Sequence, residues 1–171
     1  MARSGEIALT ASKILTELKK CGFDYVVTVP DDDSRRLYRL IESRPEFKLV
    51  SACREGEVIA IAAGLILGGK SPVVLIQNTG FYESGDSLRG LAIDLKLPMV
   101  ILISCRGWKS NAPMTDSASI YIRQAIEAWG IHHHLVEDDR HIDRISLALD
   151  EAKKAQKPVA VLLGCDISDD E

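Results

Sequence analysis

The feature that most constrains this chain is a regular alternation of short, β-branched apolar runs with longer stretches of helical periodicity. Residues 25–29, 47–52, 72–77, 98–104, 133–136 and 158–163 read as strands. Between and around them, residues 7–20, 35–43, 55–68, 84–95, 120–129 and 141–155 read as helices. In the first helix Ile7, Leu9, Ile14, Leu15 and Leu18 recur at roughly helical spacing, and Lys19 and Lys20 occupy the last turn, where the helix dipole favours cations. Strands of Val, Ile and Leu with helices between them must pair in parallel and be buried on both faces. The pattern predicts a three-layer α/β/α sandwich around a six-stranded, mostly parallel sheet. Ligands of such sheets bind beyond the carboxyl ends of the strands. That directs attention to residues 31–34, 53–57, 78–86 and 106–116.

Size and charge narrow the function. At 171 residues and 46% apolar, the chain reads as a single domain over 1–171, with frayed ends at 1–5 and 167–171. Its 21 basic and 25 acidic residues leave a net charge of −4, and no basic stretch stands out, which argues against a nucleic-acid partner. The longest apolar run, residues 58–69, carries three glycines and is too short to span a bilayer. No apolar signal region follows Met1, so a cytoplasmic location is expected. Cys21, Cys53, Cys105 and Cys165 are widely spaced without a C-x-x-C pair, as expected of buried, reduced thiols rather than zinc ligands.

Familiar phosphate loops are absent. Gly68-Gly69-Lys70-Ser71 falls at a helix end, and Gly80, Gly85 and Gly90 lack the dinucleotide spacing. In a strand, only His132 and His134 of His132-His133-His134 share a face. Without an acidic or thiol partner at helical spacing, they read as edge-strand or surface residues, and no metal ligand is assigned.

The informative segment runs from Ser51 to Gly64. A strand leads into Arg54-Glu55 and then into a helix whose Val58, Ile59, Ala60, Ile61, Ala62, Ala63 and Gly64 leave no polar side for two turns. An acidic residue in a first turn is favoured by the helix dipole alone. A helix apolar all round, however, is buried all round, and an outer helix of a lone α/β domain should have a wet side. Another chain or domain is expected to cover it.

This segment resembles the pyrimidine-binding (PYR) domain of thiamine diphosphate enzymes, in which a Glu after the second strand is followed nine positions later by a helical Gly, as Glu55 is by Gly64. Val29-Pro30-Asp31-Asp32 is similar to the Val-Pro-Gly-Asp turn of the decarboxylase branch. Gln77-Asn78-Thr79-Gly80 resembles the Gln-Asn-Ser-Gly stretch of sulfopyruvate and phosphonopyruvate decarboxylases, and residues 98–104 with Arg106-Gly107-Trp108 resemble their next strand and its exit. The resemblance spans nearly the whole chain, in order. It implies that Glu55 is catalytic, hydrogen-bonding a ring nitrogen of the aminopyrimidine to favour its imino tautomer. It implies Glu55, Pro30, Asn78 and Gly80 as cofactor-binding residues. Glu57, one turn inside, is expected to cap or pair.

The same resemblance implies a second domain that holds the diphosphate and Mg²⁺. Gly85-Asp86-Ser87 with Asn111 imitates its metal motif, but lies eight residues past Gln77, where a helix start is expected. The chain therefore resembles the α subunit of a two-chain 2-oxo acid decarboxylase whose β subunit carries the PP domain. A small, anionic 2-oxo acid is the implied substrate, with Arg54, Asn78 and Arg106 as its binding residues and Lys109 a further cation. Asp32 is a proton relay by resemblance, or a helix cap among three aspartates. Met114-Thr115 stand where relatives carry a Gln-His pair. That departure keeps open a catalytically silent, regulatory or scaffolding subunit.

Overall fold

The strand residues alternate between two separate apolar clusters, and that division generates the layers. In the computed structural model, which describes residues 9–109 and 112–169, six strands form one sheet: β2 (Tyr25–Thr28), β3 (Lys48–Ser51), β4 (Pro72–Gln77), β5 (Val100–Ser104), β6 (His132–Val136) and β7 (Val159–Leu163). Their order is β3-β2-β4-β5-β7-β6 and every pairing is parallel, so the expected mostly parallel sheet is parallel throughout. Val73, Leu75, Val100, Leu102, Val159 and Val161 face one side. There they meet Ile14 and Leu18 of α1 (Ala11–Lys20), Leu37 and Ile41 of α2 (Arg35–Glu42), and Ile145 and Leu149 of α8 (Arg144–Ala155). Val74, Ile76, Ile101, Ile103, Ala160 and Leu162 face the other side. They meet Val58, Ile59, Ala62 and Ala63 of α3 (Glu55–Leu67), Phe81 of α4 (Asn78–Glu83), and Ile122 and Ile126 of α7 (Ile122–Ala128). A strand's period of two sends neighbouring side chains to opposite faces, and each face is covered by helices.

Three local outcomes differ from the sequence reading. Leu9–Thr10, expected inside the first helix, form strand β1 and pair in parallel with β8 (Ile167–Ser168), expected in a frayed tail. Leu9 and Ile167 are buried in the core, which a frayed end would forfeit. Residues 1–5 and 170–171, also expected to fray, Ile7 and Asn111 lie outside the described residues. Helix after β4 starts at once with Asn78, not at Ser84. It continues through α5 (Gly85–Ser87) into a π-helical turn over Leu88–Ile93. Finally, Cys53 is exposed rather than buried, whereas Cys105 is buried and its thiol is pushed up to about 12 by that burial.

The apolar helix α3 rests its Val58, Ile59, Ala62 and Ala63 on the sheet. Its outer side, with Ala60 and Gly64 exposed and Leu67 69% exposed, is apolar and faces solvent in the single chain. Among the described residues, no helix is long and apolar enough to cross a membrane.

Candidate functional site

The carboxyl ends of β2, β4 and β5 lead into the segments singled out by sequence. After β2 the chain turns on Asp31. Its carboxylate accepts from the backbone N–H of Asp33 (2.8 Å) and Ser34 (2.9 Å) and from the Ser34 hydroxyl (2.6 Å). This turn decides where the other two aspartates go. Asp32 points outward, its side chain 97% exposed, with Arg35 at 4.0 Å. It lines a groove of about 430 Å³ with Pro30, Arg35, Tyr38 and Arg39. Asp33 turns inward and accepts from Gln77 Nε2 at 2.5 Å, while Gln77 Oε1 accepts from the Thr79 hydroxyl at 2.6 Å. Burial raises the Asp33 carboxyl pKa, the Gln77 hydrogen bond opposes this, and the charges of Asp31 and Asp166 add to the rise. Sequence reasoning could not single out Asp33, because three consecutive aspartates carry no signal of which one faces in.

Helix α3 begins at Glu55, and its open amino end is closed by side chains from elsewhere. Glu83 accepts from Gly56 N–H at 2.7 Å and from Arg54 at 2.6 Å. The Gly56 N–H, then Arg54, hold the Glu83 carboxyl below the ordinary carboxylate range. Glu57 reaches back to accept from the Cys53 N–H at 3.2 Å, the capping role expected of it. Glu83 was not foreseen, since only the fold brings it across from α4. Arg54, a proposed substrate ligand, is thus paired with a carboxylate.

The Glu55 side chain lies on the backbone of Gly80. A Cβ at position 80 would stand 2.5 Å from Glu55 Oε1 and 2.6 Å from Cδ, distances no real side chain tolerates. Among the described residues, no hydrogen bond or ion pair engages the Glu55 carboxyl. Asn78, two residues before Gly80, is fully buried. Its amide donates to the Arg106 carbonyl and to the Ser119 hydroxyl, both at 3.1 Å, and its carbonyl accepts from Thr79 N–H. Both polar atoms of its side chain are therefore hydrogen-bonded within the chain.

The exit of β5 is tied down in the same way. Arg106 donates to Asp116 at 2.9 Å, and Asp116 caps the short helix α6 (Ser117–Ile120) by accepting from Ala118 N–H at 2.9 Å. The Arg106 hydrogen bond, then the Ala118 N–H, lower the Asp116 pKa. Gly107 has φ of +76° and packs on Asp116, whose Cγ would be 3.2 Å from a Cβ there. Arg106 also borders a second groove of about 330 Å³ with Thr79, Tyr82, Ser117 and Tyr121.

These elements bring Glu55 and Gly80 into contact and set Asn78 and Arg106 beside each other. Pro30 and Asp32 lie together on a separate groove. The arrangement packs one carboxyl, without a hydrogen-bonding partner among the described residues, against the backbone of Gly80.

Comparison with known proteins gives a consistent context. Residues 10–136 match the family described as thiamine pyrophosphate enzyme, N-terminal TPP binding domain. The chain is 28% identical over 153 residues to sulfopyruvate decarboxylase of Methanosarcina acetivorans, covering 88% of this chain and 39% of that protein. It is 33% identical over 94 residues to the sulfopyruvate decarboxylase subunit alpha of Methanocaldococcus jannaschii, covering 55% of this chain and 56% of the relative. It thus spans well under two thirds of the length of either. The fold is similar to that of benzoylformate decarboxylase from Polynucleobacter necessarius, with a TM-score of 0.74 and 22% identity over 92% of this chain and 30% of that one.

Proposed function

The chain belongs to the thiamine pyrophosphate enzymes, through their N-terminal binding domain, and from that membership we propose that it is the α subunit of a two-chain, thiamine diphosphate-dependent 2-oxo acid decarboxylase acting on sulfopyruvate. The observation that carries this reading is the uncommitted Glu55 carboxyl lying over Gly80. Those two residues fit the pyrimidine end of the cofactor: the glycine makes room for the glutamate arm, and the carboxyl has no internal partner among the described residues. Thiamine diphosphate, when bound, supplies the electron sink that lets a 2-oxo acid lose carbon dioxide.

On this reading Glu55 holds a proton at its carboxyl and shares it with a ring nitrogen, general acid–base work at one fixed atom. Gly80 gives the room in which the Glu55 side chain lies and so sets where its carboxyl stands. Asn78 positions the site by locking the Arg106 carbonyl and Ser119 to the end of β4. Asp32 and Pro30 border the groove on the opposite flank, from which Asp32 would relay a proton. Arg54 and Arg106 remain the proposed cations for the sulfonate, each first having to be shared with Glu83 or Asp116.

A β subunit bearing the PP domain would hold the diphosphate and Mg²⁺. Support for a second chain comes from the wet, apolar outer side of α3, which a lone domain would be expected to make polar. The name of the Methanocaldococcus jannaschii relative, a subunit alpha, agrees with that arrangement. The test is a carbon dioxide release assay on this chain mixed with a separately purified PP-domain subunit. Sulfopyruvate, phosphonopyruvate and pyruvate are offered in parallel with thiamine diphosphate and Mg²⁺. Release from sulfopyruvate only when both chains are present is the expected result. Turnover of phosphonopyruvate in its place would reassign the substrate. No turnover of any of the three, with a complex that nevertheless forms, would make the chain a silent scaffold.

A further inference from the structure

The edge strand β6 carries a donor set that the decarboxylase reading leaves unused. His132 and His134 are two residues apart on a strand, so both rings project from the same face. That face is covered by α8, which brings Glu151 between them. One carboxylate oxygen lies 2.6 Å from His132 Nδ1 and the other 2.9 Å from His134 Nε2. The three ligand atoms lie within 4.8 Å of one another. The two rings stand edge to face, with centroids 5.1 Å apart and planes at 82°. No spacing rule within one element could have revealed this group, because its acidic member lies 17 residues away on a different element.

We propose that His132, His134 and Glu151 form a binding site for a divalent transition cation of the zinc class, with a coordination position left to solvent. Two imidazoles and one carboxylate are a borderline donor set that suits such ions better than Mg²⁺ or Ca²⁺, which take oxygen ligands. Tetrahedral coordination at about 2.0–2.1 Å places ligand atoms about 3.3 Å apart. The two His–Glu separations, 2.6 and 2.9 Å, are shorter than that, so a small outward swing of the Glu151 side chain opens the cluster enough to admit the ion. His132 is 60% exposed on its side chain, which leaves an entry route, while His134 at 19% anchors the inner side.

The site sits at the amino end of the sheet. His132 pairs with Val159, the first residue of β7, whereas Glu55 and Gly80 lie beyond the carboxyl ends. A bound cation would pin the unpaired edge of β6 to α8 without touching the decarboxylase machinery.

The test is calorimetric titration of Zn²⁺ into untagged, chelator-treated protein near neutral pH, repeated on Glu151→Gln and on the double variant His132→Asn/His134→Asn. One site per chain is expected, with a loss of at least about 100-fold in affinity in both variants. Wild-type protein loaded with Co²⁺ should show the visible bands of four-coordinate cobalt, and both variants should lose them. Circular dichroism verifies that the variants are folded. Zn²⁺ affinity unchanged in the folded variants would place the ion elsewhere, for example on exposed Cys53, and would overturn the proposal. So would no Zn²⁺ binding by the wild type, which would leave the trio as a hydrogen-bonded clasp complete in itself.

Discussion

Glu55 and Gly80 are locked in reciprocal contact: the carboxylate arm from the start of α3 occupies the space that any side chain at residue 80 would need. The contact joins two segments that follow different strands, β3 and β4. It makes the glycine a requirement of the glutamate, and the glutamate's position a report on the glycine.

Gly80→Ala should therefore destabilise the chain by about 1–3 kcal/mol through overpacking. In an Glu55→Ala background most of that cost should disappear, giving a coupling energy of about 1 kcal/mol or more. Urea unfolding of the four proteins measures the cycle. Purely additive effects would mean that the two side chains do not compete for the same space.

Glu55→Gln keeps the shape and removes the exchangeable acid. Decarboxylation by the reconstituted complex should fall by about 10²–10⁴-fold, while thermal stability and subunit assembly stay as they were. Turnover at the wild-type rate would take Glu55 out of the chemistry and with it the proposed function.

How much of this could be read beforehand follows from what each element depends on. The six strands and the helices between them were legible because burial on both faces demands long apolar runs, as in β5 and β7, which have no exposed residue. The strands Leu9–Thr10 and Ile167–Ser168 were not legible, since two residues show no period and exist only through each other. Asn78–Glu83 reads as a loop because Asn78, Thr79 and Gly80 are poor helix formers. Its glycine answers to Glu55 instead, a constraint that crosses from another element. Glu55 itself was legible from its place between a strand and an apolar helix. Asp33, Glu83 and Glu151 were not, as their roles arise only where separate elements meet.

Asn78 offers a test of positioning apart from catalysis. Asn78→Ala should cost about 1–3 kcal/mol, because three side-chain hydrogen bonds of a buried residue are lost. Loss of the amide should also loosen the Arg106 segment, read as faster hydrogen exchange at Ala118 and Ser119. A variant as stable and as protected as the wild type would show that this amide holds nothing in place.

Acid stability isolates another pair. Arg140 donates to Asp138 from Nη2 at 2.7 Å and from its backbone N–H at 2.8 Å, and holds the carboxyl down to about 2. An unfolded aspartate titrates near 3.9, about two units higher, so the folded state favours the ionised form. The resulting stabilisation is fully present above about pH 4 and is lost as pH falls toward 2. Between those limits the urea midpoint of the wild type should fall more steeply than that of Asp138→Asn. Parallel slopes would refute the assignment.

The pairing of Leu9 with Ile167 and of Thr10 with Ser168 brings the two extremities of the described chain to one corner of the molecule. A short bridge between them would close the backbone into a ring. The gene could then be reopened in a surface connection such as that between α7 and β6, yielding a circular permutant that keeps its large sheet intact. Because the pairing is parallel, the chain enters β1 and leaves β8 at opposite ends of this two-residue ladder, so the bridge must span its length.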